Sequence, residues 1–140
     1  MINAKITRKQ KHNAIKGLSE GSAEAVAKTT IALQSQVKAL APVDFGALRN
    51  SINRVVKGLK GTVFTNLVYA MIQEFGGIIK PLASKYLRFK TKSGNWVTTS
   101  KVTIKAANGG KGYFRPSVVV IKKKIKNIFA KELRASIRKN

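Results

Sequence analysis

Two long segments with helical periodicity lie at opposite ends of the sequence and bracket a middle rich in β-branched residues and glycine. Residues 13–40 and 116–137 place apolar side chains at steps of three and four, the spacing that collects them on one helix face. The short alternating segments between them are separated by glycine-containing turns, a pattern typical of hairpins. A chain of 140 residues suits one domain, so we expect a single compact unit over 1–140.

The first helix is preceded by a basic stretch, residues 1–12, which is either an arm or the solvated start of the helix. Ile31 points away from the apolar stripe of this helix, so it is either one exposed apolar residue or part of a subunit contact. Ala41-Pro42 ends the helix, because the residue before a proline is pushed out of the α region. The stripe consists of Ile15, Ser22, Val26, Leu33, Val37 and Leu40.

Residues 41–76 are predicted to form a central motif followed by a hairpin. The Asp44 carboxylate can accept hydrogen bonds from the free amides of a first helical turn, so it is predicted to cap a short helix over about 45–52. A tight turn at Lys60-Gly61 predicts the hairpin. The remaining elements here are strands at 54–59 and 62–65 and a short helix at 69–75 that ends at Gly76-Gly77.

Residues 77–112 are predicted to form a hairpin arm and a glycine-rich loop rather than a second domain. Strands at 86–90 and 96–99 flank a turn, and 102–104 is a candidate further strand. The glycine-rich end, 106–112, is predicted to be mobile. Its role is left open by the sequence.

The C-terminal segment, 113–140, is predicted to be a helix from about residue 116, since proline suits a first turn. Glu132 falls within its apolar stripe, where a lone carboxylate is costly. Either the helix end is exposed, or Glu132 meets a Lys or Arg, and we favour the pairing, with a subunit boundary as a candidate place for it. Ile31 and Glu132 are thus the candidate subunit-interface residues. The stripe consists of Val118, Ile121, Ile125, Ile128, Phe129 and Leu133.

The residue types needed for catalysis or metal binding are scarce. The chain has no Cys and one His, which excludes disulfides, thiolate chemistry and multi-histidine metal sites. Its five acidic residues do not form a spaced catalytic pair. We therefore expect no enzyme activity and no cofactor, and the lack of a long apolar run predicts no membrane segment.

The strongest compositional signal is positive charge. Lys and Arg number 28 against five acids, a formal net charge of +23. Such an excess indicates an anionic partner, whether nucleic acid, an acidic protein or a membrane surface. The candidate contacts to DNA or to partner proteins lie mainly in the arm and the last helix, and they are Lys85, Arg88, Lys90, Lys92, Lys101, Arg115, Lys122, Lys123, Lys124 and Lys126.

Four motifs in order resemble a known family. The first is Ala41-Pro42-Val43-Asp44-x-Gly46-x-Leu48-Arg49-x-Ser51-Ile52, and the second is Tyr69-Ala70 followed by Glu74-Phe75-Gly76. Tyr86-Leu87-Arg88-Phe89 and Tyr113-Phe114-Arg115-Pro116-Ser117 are similar to its later motifs. Over about 40–120 the chain resembles the tail-completion, or head–tail joining (neck), proteins of tailed bacteriophages.

The resemblance implies an α+β fold with a mainly antiparallel sheet of about four to five strands, packed by a long N-terminal helix and a C-terminal helix, with an extended hairpin arm. It implies a non-enzymatic virion protein that assembles in the host cytoplasm into a ring, commonly a hexamer. Such a ring joins the tail tube or tail terminator to the head connector or stopper around the DNA channel. The residues implied to shape the central loop are Pro42, Asp44, Gly46, Leu48, Glu74 and Gly76.

Two positions depart from the family pattern. Phe45 stands where a small polar residue is usual, and Gly77 replaces a small hydroxyl residue. These departures concern loop detail. The alternative function is that of a nucleic-acid-binding protein without sequence specificity, whose basic arm and last helix grip phosphates.

Overall fold

The computed structural model describes residues 8–43 and 46–139 and confirms the α+β class, with long helices at both ends. The helices are α1 (Arg8–Leu40), α2 (Ala47–Ser51), α3 (Ala70–Phe75), α4 (Ala107–Gly110) and α5 (Phe114–Lys139). The strands are β1 (Asn53–Lys57), β2 (Lys60–Phe64), β3 (Gly77–Ile79), β4 (Leu87–Lys90), β5 (Trp96–Thr99) and β6 (Val102–Ile104). No helix of the described residues holds an apolar stretch long enough to cross a membrane.

The long helices both extend beyond their predicted limits. α1 begins at Arg8 rather than at Asn13, so the described end of the basic stretch 1–12 is helical. α5 runs from Phe114 to Lys139. The residues added at the start of α1 and at the end of α5 are mainly basic, and Lys and Arg are good helix formers.

The strands form three separate antiparallel pairs rather than the one sheet of four to five strands that was expected. β1 pairs with β2, β3 with β6, and β4 with β5. The β1–β2 turn lies at Gly58-Leu59 rather than at the predicted Lys60-Gly61, because Lys57 pairs with Lys60 and Gly58 supplies the positive φ of +55° that a two-residue turn requires. β1–β2 and β4–β5 are hairpins whose strands are joined by a turn. β3 and β6 are separated in sequence by the β4–β5 hairpin. The three pairs are not hydrogen-bonded to one another, so they do not form a common sheet.

α1 and α5 pack along each other through small residues of α1. Gly17, Gly21 and Ala25 are buried, and a Cβ atom on Gly21 would lie 3.0 Å from the Ser136 Cβ. Side chains at a helix contact set how closely the axes approach. The predicted stripe of α1 is consequently wrong at its N-terminal end, where Ile15 is 65% exposed.

The hydrophobic core lies where the C-terminal half of α1 meets α2, α3 and the start of α5. Tyr113 is 1% exposed, and Ile52 and Val37 are fully buried. Gln34 of α1 donates to the Ile52 carbonyl at 2.9 Å and accepts from Arg54, which fastens β1 to the helix. The buried cluster comprises Val37, Ala41, Leu48, Ile52, Ala70 and Tyr113.

The hairpin arm leaves and re-enters the body through β3 and β6 and ends in the β4–β5 hairpin. None of the residues 80–105 is buried. The glycine-rich segment 106–112, which was predicted to be mobile, contains the short helix α4 and is hydrogen-bonded to the body. The Asn108 side-chain amide donates to the Leu40 carbonyl and to the Gly112 carbonyl, each at 2.9 Å.

Candidate assembly site

The Glu74 carboxylate of α3 caps the N-terminus of α5. One oxygen, Oε2, accepts from the amides of Tyr113 at 2.7 Å and Phe114 at 2.8 Å. The other, Oε1, accepts from the Arg115 amide at 3.0 Å and from its Nε at 2.9 Å. The first amides of a helix have no partner within it, so a side chain from another element satisfies them here. The cap locks α3 to α5.

The hydrogen-bond donors around Glu74 determine the direction in which the pKa of its carboxyl is shifted. Burial alone would raise the pKa of the Glu74 carboxyl, whose side chain is 7% exposed. The backbone amides of Phe114, Tyr113 and Arg115, followed by the Arg115 side chain, outweigh burial and hold that pKa below its ordinary value. Burial, and then the Glu74 charge, raises the pKa of the neighbouring Tyr113 hydroxyl to about 12. Glu74 is thus charged and Tyr113 neutral near pH 7.

Two glycines permit the close fit around Glu74. Gly112 has φ +77°, and a Cβ there would lie 2.6 Å from the Glu74 carbonyl oxygen. Gly76 has φ +72°, and its Cβ would lie 2.8 Å from the Ile104 carbonyl oxygen, where β6 returns from the arm. Both positions need a residue without a side chain.

An open apolar groove of about 650 Å³ lies beside the cap, between the end of β2, α3 and the first turns of α5. Met71, Phe75 and Val119 are 66%, 58% and 55% exposed in it. The Arg115 guanidinium lies over the Phe75 ring, 4.9 Å from its centroid, and Arg115 forms the rim of the groove. This docking groove is lined by Phe64, Thr65, Leu67, Ala70, Met71, Glu74, Phe75, Tyr113, Phe114, Arg115, Val118 and Val119.

The hairpin arm carries a second apolar surface. Phe89 is 39% exposed and Ile79 is 36% exposed there. On the same arm Trp96 is 62% exposed, and Arg88 lies 4.9 Å over its ring. This arm face is lined by Ile79, Leu87, Arg88, Phe89, Val102 and Ile104.

The predicted central-loop residues occupy different settings. Leu48 is 2% exposed in the core, and Gly46 precedes α2 with φ +68°. Pro42 is half-buried. The predicted Asp44 cap lies outside the described residues. Of this set, Glu74 and Gly76 lie together at the cap on α5.

The predicted contact residues fall into separate groups. Arg115 belongs to the Glu74 cap, since its NH2 group also donates to the Glu74 carbonyl at 2.8 Å. Lys85, Arg88, Lys90, Lys92 and Lys101 are exposed on the arm, and Lys122, Lys123, Lys124 and Lys126 are exposed on α5.

The two candidate subunit-interface residues behave differently. Ile31 is 44% exposed on α1. Glu132, with a side chain 9% exposed, pairs with Lys28 of its own chain at 2.8 Å. That hydrogen bond raises the pKa of Lys28. The Glu132 carboxylate therefore needs no partner across a subunit boundary.

The sequence analysis named Glu74, Gly76 and Arg115 but did not predict that Glu74 meets the start of α5. The donors of Tyr113 and Phe114 are far from Glu74 in sequence, and the docking groove combines three elements. No local spacing signals such a site. Across the ranges 8–43 and 46–139, no three acidic or histidine side chains gather in a way that could hold a metal ion.

The sequence relationships of the chain agree with the motifs. Residues 5–76, just over half of the chain, match the family described as Bacteriophage HK97-gp10, putative tail-component. No curated protein and no solved structure gives a significant match. The matched residues include all of α1 and the helix that carries Glu74. The chain therefore belongs to the HK97-gp10-like family of bacteriophage tail components.

Proposed function

We propose that this tail component is a structural protein of the phage neck that forms a closed ring, commonly six copies, around the DNA channel. The ring joins the tail tube or its terminator to the head connector or stopper, and it assembles in the host cytoplasm. The protein works by fitting against neighbours rather than by catalysis. Family membership supports a place in the virion.

The observation that carries the proposal is the presence of two unpartnered apolar surfaces on one chain, the docking groove and the arm face. An open apolar surface of this kind marks an interaction site. We assign the arm face of a second copy as the occupant of the docking groove. The two surfaces lie on different parts of the chain, so the contact is heterologous and repeats until it closes into a ring.

The arm itself supports this assignment. A segment without any buried residue contributes little to the stability of its own chain. Docking its apolar face in a neighbour supplies the burial that the isolated chain lacks. Because each copy carries a formal charge of +23, the copies repel, and the contact must depend on apolar burial rather than on ion pairs. Added salt screens the repulsion and should strengthen the assembly.

Substitution in the docking groove tests the proposal. Met71→Asp places a charge in the groove without touching the core, because Met71 is 66% exposed. Light scattering after size-exclusion chromatography should show a closed oligomer for the wild type and a monomer for Met71→Asp.

The matched control is Ile15→Asp, since Ile15 is 65% exposed on α1 and lies outside the groove. It should assemble like the wild type. A wild type that stays monomeric at high protein concentration and high salt contradicts the proposal, as does a Met71→Asp variant that still forms rings.

A further inference from the structure

Four basic side chains line one shallow groove on the outer surface of α5. Lys126, Lys131, Arg134 and Arg138 are all exposed. Of the contact residues predicted from sequence, Lys126 is the member that lies in this groove. The basic groove consists of Lys126, Asn127, Ala130, Lys131, Arg134, Ala135 and Arg138.

The acidic side chains of the described residues are committed elsewhere. Glu20 pairs with Lys16 at 3.9 Å, and Glu24 with Lys28 at 3.7 Å. Glu132 also pairs with Lys28, and Glu74 pairs with Arg115. None of these ion pairs includes a cation of the basic groove, so its charge is not neutralised by them.

Stabilisation of α5 by cations near its C-terminus explains the positive charge at only one end of the basic groove. Cations in a last turn interact favourably with the negative end of the helix dipole, and Arg138 lies in the last turn of α5. The effect fades within one turn. Lys126 and Lys131 lie well before that turn and gain nothing from it.

The basic groove is long enough to span several phosphates of a nucleic-acid backbone. Lys126 and Arg138 are separated by roughly 18 Å along the helix at about 1.5 Å per residue. Duplex DNA presents about ten phosphate charges over that length, at one per ~1.7 Å. The small side chains of Ala130 and Ala135 between the cations leave room for a backbone to approach.

The composition of the basic groove favours DNA over an acidic protein. Protein interfaces are enriched in aromatic residues, Met and Arg and are depleted in Lys. Of the enriched types the basic groove holds Arg134 and Arg138 alone. This groove holds no aromatic residue and no aliphatic side chain larger than alanine. Phosphate contacts need only cations and hydrogen-bond donors, which Lys, Arg and the Asn127 amide supply.

We infer that the basic groove of α5 binds the phosphate backbone of double-stranded DNA without reading its sequence. The basic groove lies within one chain, so the inference does not depend on ring formation. DNA binding by this surface goes beyond the proposed function, because joining two protein rings does not require the protein to contact DNA.

Fluorescence anisotropy with a labelled mixed-sequence duplex of about 20 base pairs, over a series of salt concentrations, tests the inference. The triple variant Lys126→Gln, Lys131→Gln, Arg134→Gln should bind at least a hundredfold more weakly near 0.1 M salt. The slope of log affinity against log salt should fall in magnitude by about 3, because each lost phosphate contact removes ~0.9.

The matched control is Lys57→Gln, Lys60→Gln, Lys111→Gln, which removes the same charge from exposed positions outside the basic groove. It should retain affinity within a few-fold. Circular dichroism verifies that both variants remain folded. Repeating the titration in Met71→Asp separates DNA binding from assembly.

Three results would overturn the inference. The first is that the wild type shows no binding at low salt. The second is that both triple variants lose affinity equally, which indicates that binding depends on the total charge of the protein and not on the basic groove. The third is displacement of the labelled duplex by poly-glutamate as efficiently as by unlabelled DNA at equal charge, which indicates an acidic protein as the partner.

Discussion

Replacing Glu74 by Gln removes the charge of the cap on α5 and keeps its shape. The carboxylate accepts four hydrogen bonds, two on each oxygen. A glutamine offers one oxygen and directs an NH2 group at two of these donors. About half of the cap is therefore lost, and the donors left without a partner are close to the core.

The cost of Glu74→Gln follows from the burial of this cap. A hydrogen bond to a charged group contributes about 1.5–3 kcal/mol, and breaking a buried charged pair costs about 3–5 kcal/mol. We expect the free energy of unfolding to fall by about 3 kcal/mol at pH 7. In a domain of this size that corresponds to a drop in Tm of roughly 10 °C.

The pH dependence gives a second readout for Glu74→Gln. The folded-state pKa of Glu74 is lowered, so its stabilisation is fully present above the unfolded-state value near 4.5 and is lost as pH falls through the folded value. Urea unfolding of wild type and variant from pH 7 to pH 3 should show their difference in free energy shrinking below about pH 4.5.

The control for this comparison is Glu24→Gln, whose side chain is 58% exposed. Exposed ion pairs contribute little, so its stability should change by less than about 1 kcal/mol. The reasoning is refuted if the unfolding free energy of Glu74→Gln lies within about 1 kcal/mol of the wild-type value at pH 7. It is also refuted if the difference between the two proteins does not shrink below about pH 4.5.

Two further predictions concern glycines at close contacts. Gly112→Ala should lower the unfolding free energy by more than about 3 kcal/mol, because its Cβ meets Glu74 and its φ is positive. Gly109→Ala, also at positive φ but with open space, should cost about 1–2 kcal/mol, and equal losses would sink the argument. Gly61→Ala places a Cβ 1.8 Å from Thr30 Oγ1. Thr30→Ala should recover part of the resulting loss in a double-mutant cycle, whereas simple additivity would contradict this.

The elements that the sequence predicted well are those set by local patterns. The periodicity of the two long helices predicted α1 and α5, and the two β-rich segments predicted the β1–β2 hairpin. The predicted Lys60-Gly61 turn was wrong, because both residues belong to β2 and the chain reverses at Gly58-Leu59. The ends of the two helices shifted because basic residues continue a helix readily. The resemblance in the motifs gave the family before any tertiary contact was known.

The parts that could not be predicted depend on contacts between distant segments. Gly17 and Gly21 have no hydrophobic side chain, so the spacing of apolar residues does not indicate the face of α1 that α5 covers. The pairing of β3 with β6 spans the whole arm. Glu74 was assigned to the central loop, but its role as a cap requires amides that α5 supplies from elsewhere in the chain.

A mixing experiment tests the assembly proposal most directly. One variant is Met71→Asp, with an intact arm face and a blocked docking groove. The other replaces residues 80–101 by an Asn-Gly turn, which keeps the pairing of Ile79 with Val102 and leaves the groove intact. Each variant alone should be a monomer.

Native mass spectrometry of an equimolar mixture should show a one-to-one heterodimer that does not grow, because only one arm and one groove remain competent. If the mixture stays monomeric while the wild type forms rings, the contact between arm and groove is contradicted.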